Sequence, residues 1–128
     1  MTFLHLFFGF RGRLGRASFW LAALGSAVAT AAVSFVAVEA SLAASQPEDA
    51  VAAAAAGWPM IPLYLVSLWI TLALTIKRCH DRNYPAVMAF VLFVPVVGAA
   101  WALIDLGCIP GTPGDNAYGP SPARSRRR

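Results

Sequence analysis

The side chains able to do chemistry fall in three short islands. The first holds Arg11, Arg13 and Arg16, the second is Lys77-Arg78-Cys79-His80-Asp81-Arg82, and the third, past an isolated Asp105, is a turn-rich run with Asn116 and Tyr118. A guanidinium binds phosphate through a planar, bidentate fork. Arg13, Arg16, Lys77 and Arg78 are therefore candidates for contact with an anionic headgroup, with glycines near 111–119 adding backbone amides. The same residues also describe a structural network. On a helix Asp81 lies four residues from Lys77 and three from Arg78, within reach of either, and Arg13 or Arg16 can join them. Exposed pairs contribute only about 0–1 kcal/mol each, so such a network must be shielded to matter.

His80 beside Asp81 could do acid–base work, because His titrates near neutrality. A His-Asp dipeptide alone is not a metal site: a metal-dependent phosphohydrolase needs further His and Asp ligands, and the only other histidine is His5. Gly-rich nucleotide loops, a nucleophile elbow and an HExxH pattern are all missing from the sequence. We therefore expect no enzyme, no catalytic residues, no metal and no cofactor. Asp105 is the candidate for a transport pathway, since ionisable groups at membrane depth often mark one.

The elements that must position these residues are apolar. Of 128 residues, 59% are hydrophobic and 12% charged, about half the charged fraction of an ordinary soluble domain. This excludes disorder and argues against a small water-soluble enzyme, which would need more polar surface. Residues 17–38, 50–76 and 83–104 carry no charge, and each exceeds the roughly 20 apolar residues that cross a hydrocarbon core of about 30 Å. Backbone amides in lipid must be satisfied internally, so these stretches are read as helices. A cleaved signal peptide fits less well than a span at 19–38, because the apolar run is too long for an h-region and two more follow.

One membrane domain over 1–122 is expected. An interfacial segment, 1–16, places Phe3, Leu6, Phe7 and Phe10 on one helical face. A span at 19–38, with Trp20 as interfacial anchor, is followed by an outer loop at 39–57 with Glu39, Glu48 and Asp49. The second span, 58–76, leads into a basic loop at 77–84. Both basic islands should face the cytoplasm by the positive-inside rule. The hydrophobic segment 85–106 has Pro95 and Gly98 at its centre, so it either kinks and spans or breaks into a re-entrant hairpin. The hairpin returns Asp105 and Arg124, Arg126, Arg127 and Arg128 to the basic side. Residues 107–122 form a Gly/Pro-rich turn module, and 123–128 a disordered basic tail.

Three motifs carry a resemblance. Phe10-Arg11-Gly12-Arg13 with Arg16, Phe19 and Trp20, then Lys77-Arg78-Cys79-His80-Asp81, then Pro110-Gly111-Thr112 with Gly114, Asn116, Tyr118, Gly119, Pro120 and Pro122, resemble the DUF805 family of small bacterial inner-membrane proteins. The resemblance covers nearly the whole chain and implies a bacterial cytoplasmic-membrane location, with no known reaction. Two departures stand out. Asn83 and Pro85-Ala86 replace the family's Gly and Ser-Gly turn after His-Asp, though Asn tolerates a left-handed backbone. The loop at 39–57 also looks longer than the family's.

The expectation is an all-α integral membrane bundle. It has two full spans, a Pro/Gly-interrupted third segment and an N-terminal interfacial helix, and is a multi-pass protein of the bacterial inner membrane. Its polar cluster would comprise Arg13, Arg16, Lys77, Arg78, His80, Asp81, Asn116 and Tyr118. Membrane lipids, anionic ones included, and further copies of the chain are the expected partners. Nucleic acid is not, because no stacking aromatics accompany the basic tail. Cys79 and Cys108 lack CxxC spacing and are expected as free thiols.

Overall fold

The computed structural model describes residues 3–44, 58 and 60–122. Most of the expected outer loop, with Glu48 and Asp49, lies outside the described residues, as do Pro59 and the tail arginines. Among the described residues the architecture is all-helical, without strands. Helix α1 is Phe3–Phe8, α2 is Arg16–Ala44 and α3 is Met60–Asp81. At 1.5 Å per residue, 29 and 22 residues give about 43 and 33 Å. Both helices are long and apolar enough to cross a membrane. They pack along each other, with a hydroxyl contact of 2.8 Å between Thr30 and Ser67.

The boundaries differ from the sequence expectation in ways that have physical causes. Among the described residues of the expected interfacial segment, Phe3–Phe8 form α1, residues 9–15 form a loop containing Gly12 at φ 97°, and Arg16 already begins α2. Residues 39–44 extend α2, since Ala and Glu favour helix. The expected basic loop is also corrected: Lys77 to Asp81 form the last turns of α3. Lys and Arg are good helix formers, and cations are favoured at a helix C-terminus.

The end of α3 is a left-handed cap. Tyr84 N donates to Cys79 O at 2.8 Å and Asn83 N to His80 O at 3.1 Å, with Asn83 at φ 61°. This pair of bonds satisfies carbonyls that the helix itself cannot.

The third hydrophobic segment breaks at its Pro-Val-Val-Gly centre. A 3₁₀ helix, Ala86–Phe93, leads to a reversal, and an apolar helix, Val97–Cys108, runs back with π-type winding over Ala102–Cys108. Val97 N bonds Pro95 O at 2.7 Å around Val96 at φ 65°, ψ −56°. This is a γ-turn of the rarer positive-φ kind, which strains a β-branched residue. Replacing Val96 with Gly should remove strain of order 1–3 kcal/mol at an entropic cost of about 0.5–1 kcal/mol. Val96→Gly is therefore expected to raise the thermal unfolding midpoint in detergent. A lowered midpoint would contradict the turn.

The core lies at one end of the molecule. Leu14, Phe19, Ala22, Leu74, Cys79 and Leu106 form it, with Leu6, Phe7, Trp20, Tyr84, Met88 and Trp101 against it. That end is also where the charges gather.

Candidate functional site

The site is assembled from three segments distant in sequence: the 9–15 loop, the last turns of α3, and residues 105–119. At its centre is Asp81. Arg13 Nε donates to Asp81 Oδ1 at 3.1 Å, and its Nη2 lies 3.0 Å from the same oxygen. Arg78 Nη1 pairs with Asp81 Oδ2. Arg78 is fully buried, Asp81 is 3% exposed and Arg13 5%. The network is therefore shielded, the condition under which ion pairs matter.

Most remaining guanidinium donors bind backbone carbonyls. Arg13 Nη1 donates to Gly114 O at 2.6 Å and Nη2 to Thr112 O at 2.7 Å. Arg78 Nε donates to Leu106 O at 2.6 Å and Nη2 to Ile109 O at 2.6 Å. Arg16 Nη1 reaches Cys108 O at 2.8 Å, Trp20 Nε1 reaches Gly107 O at 3.2 Å, and Arg82 Nη1 reaches Pro110 O at 2.9 Å. Every carbonyl from Leu106 to Pro110 thus accepts a side-chain donor. Helix C-termini leave their last carbonyls without intrahelical partners and carry partial negative charge. The arginines satisfy both needs at the end of Val97–Cys108.

The other predicted residues join the same cluster. Lys77 is fully buried; its Nζ donates to Leu6 O at 2.6 Å and also to His5 O, tying down α1. The His80 ring stacks on Tyr118, with centroids 4.0 Å apart and planes at 5°, and its Nδ1 lies 3.3 Å from Gly12 O. Asn116 Nδ2 donates to His80 O at 2.8 Å, and Asn116 Oδ1 accepts from Tyr118 N at 2.9 Å. Arg16 differs from Arg13, Lys77 and Arg78 in that its side chain remains exposed.

Sequence reasoning left Thr112 out of the site and gave Gly111 a different part, as one of the glycines offering backbone amides to an anion. Thr112 donates to Asp81 O from both its amide, at 2.8 Å, and its hydroxyl, at 3.1 Å. Gly111 leaves room for the carboxylate: a Cβ there would collide with Asp81 Oδ2 and lie 2.8 Å from Oδ1. The Pro110-Gly111-Thr112 run was the available signal, but nothing in it names its partner.

Asp105, the transport candidate, pairs with Arg82 at 2.9 Å beside this cluster. For Arg82, burial disfavours the charge, but the hydrogen bond and the charge of Asp105 outweigh it, so its pKa is raised. Cys79 is buried and Cys108 exposed, both as free thiols. Among the described residues no three His, Cys, Asp or Glu side chains gather to hold a metal.

Known proteins place this arrangement in a family. The chain is 33% identical to the uncharacterized protein YiiR of Escherichia coli strain K12, over 93% of its own length and 89% of the relative. It is 30% identical to the inner membrane protein YhaI of the same strain, over 95% and 92% of the two chains. The inner membrane protein YhaH matches at 37% over a shorter region, 39% of this chain and 40% of the relative. No solved structure matches. None of these names indicates a catalytic activity. Residues 7–120, which contain the first two motifs and the third as far as Pro120, match the family described as protein of unknown function DUF805, and the chain belongs to that family.

Proposed function

We propose that this is a multi-pass inner-membrane protein with a structural, non-catalytic polar cluster. On this reading the basic motifs clamp a re-entrant hairpin and the C-terminal module to the cytoplasmic end of α2 and α3. The observation that carries it is the run of carbonyls from Leu106 to Pro110, each accepting a bond from Arg16, Trp20, Arg78 or Arg82. Guanidinium groups committed to backbone oxygens and a buried carboxylate are occupied in holding the fold. The cluster also draws both ends of the hydrophobic hairpin to one end of α3, because Tyr84 N bonds Cys79 O while Arg78 bonds Leu106 O. Cysteine accessibility tests the threading. Cys79 is unsuitable because it is fully buried, so the probes are exposed positions: Ala17→Cys, Leu42→Cys and Ala117→Cys, each in a chain without native cysteines. Ala17→Cys and Ala117→Cys should react with an impermeant maleimide only in inverted vesicles, and Leu42→Cys only in spheroplasts. Labelling of Ala117→Cys from the periplasmic side would sink the hairpin.

A second reading, contact with anionic lipid, is favoured by one observation. A cavity of about 270 Å³ is lined by Arg13, Arg16, Thr112 and Ser121, with Asp81, whose carboxylate is paired with Arg13 and Arg78, also in its wall, and Arg16 is exposed. Arg13, Lys77 and Arg78 are engaged internally, so headgroup contact falls to Arg16 with the neighbouring, exposed Arg11. Arg11→Gln, at a position outside the run of carbonyl contacts, should lower co-purified phosphatidylglycerol and cardiolipin severalfold without lost folding. Unchanged lipid retention would argue against this role.

A further inference from the structure

We infer that the molecule is a leaflet-selective wedge whose partner is a lipid surface curved convex on the side of its basic end. The inference rests on the proposed re-entrant hairpin and extends it.

The first observation is the distribution of burial along the long helices. No residue of α2 after Ala22 is buried among the described residues, and none of α3 before Ala73. At the basic end the two helices are joined by α1, both hairpin arms and the C-terminal module. At the other end, among the described residues, the two helices pack only against each other.

The second observation is the length of the hairpin. The eight residues of Ala86–Phe93 rise about 2.0 Å each, giving roughly 16 Å. The return helix Val97–Cys108 rises at most about 1.5 Å per residue, giving at most roughly 18 Å. Half of a hydrocarbon core of about 30 Å is about 15 Å. The arms are therefore one leaflet deep, and the reversal at Val96 comes at mid-membrane. The third observation is that the arms turn apolar side chains outward: Val87, Phe90, Phe93, Val96, Leu103 and Ile104 are all exposed, as acyl chains require and water does not.

Geometry does the rest. A helix about 10 Å across occupies about 80 Å² of membrane plane, so two arms confined to one leaflet add roughly 160 Å² there, with no matching arm opposite among the described residues. Lipids relax that imbalance where the leaflet holding the arms is the outer, expanded side of a curved bilayer.

The test uses full-length protein reconstituted into phosphatidylethanolamine/phosphatidylglycerol vesicles with a broad spread of diameters. An impermeant dye on Ala117→Cys marks molecules with the basic end outward, and a permeant dye of another colour then marks the rest. Surface density of the outward population should rise severalfold from the largest to the smallest vesicles, while that of the inward population falls. Density independent of diameter, or the same trend in both orientations, overturns the inference. Val96→Asp, which should draw the tip out of the hydrocarbon, is expected to flatten both trends; unchanged trends in that variant also overturn it. Efficient cross-linking of Val36→Cys between copies would overturn it as well, because a partner chain would then fill the opposite leaflet. Failure of the underlying reading is recognisable separately, as opposite-side labelling of Ala17→Cys and Ala117→Cys.

Discussion

Asp81→Asn is expected to cost about 3–5 kcal/mol, the usual penalty for removing one partner of a buried ion pair. The reason lies in what remains. Arg13 and Arg78 keep their carbonyl partners, but two guanidinium groups stay buried with no counter-charge, and one face of the new amide presents N–H to a cation. Total stabilities of about 5–15 kcal/mol are typical, so this single change should sharply lower the unfolding midpoint in detergent and the amount accumulated in the membrane. The double variant Arg13→Gln with Asp81→Asn separates charge from shape. It should lose less than the sum of the single changes, because each removes the same pair. Strict additivity would mean that the Arg13–Asp81 contact carries little energy.

Gly98→Ala should have the second largest effect. A Cβ at Gly98 would collide with Val91 O and lie 2.8 Å from both Leu92 Cα and Leu92 O. These are backbone atoms of the opposing hairpin arm, so no side-chain rotation can relieve the contact. Overpacking of this kind costs about 1–3 kcal/mol, and here it also forces the arms apart where they reverse. The comparison is Gly25→Ala on α2, where an added Cβ meets nothing within 4 Å. That change should be neutral or stabilising by up to about 1 kcal/mol, the helix propensity difference. Equal melting shifts at the two positions would show that the hairpin arms do not close on Gly98.

The motifs acquire a physical meaning from this arrangement. Arg13, Arg16 and Trp20 precede or begin the first long helix, Arg78 and Arg82 end the second, and their shared ligand is the backbone of 106–119. Arginine suits that task because one planar group offers five donors in fixed directions. Lysine could not bridge Leu106 O, Ile109 O and Asp81 together as Arg78 does. These bonds serve stability and threading, and their use of Arg13 and Arg78 narrows any lipid contact to Arg11 and Arg16 instead of the whole basic set.

How much of this was legible in the sequence differs from residue to residue. The two long helices could be read from charge-free length, since a spanning helix satisfies its own backbone and needs no knowledge of its neighbours. The pairing of Arg78 with Asp81 followed from helical spacing once α3 continued through both. The involvement of Thr112 and Gly111 did not, because their partner is 30 or more positions away and the contact depends on a missing side chain and a backbone amide. Nor could the sequence choose between a kink and a reversal at Val94-Pro95-Val96. Proline removes one hydrogen bond in either case, and the outcome depends on what holds the two ends.

By itself, then, the sequence determined an all-helical membrane protein with two apolar helices, and it concentrated the charged side chains in a few islands. Those properties depend on composition and local periodicity. Tertiary structure alone decided that the islands meet around Asp81, that α3 extends through the second of them, and that the last hydrophobic segment doubles back. The physical reason is the nature of the acceptors. Backbone carbonyls at 106–110, 112 and 114 are the same in every residue type, so no sequence can show which arginine or tryptophan will find them.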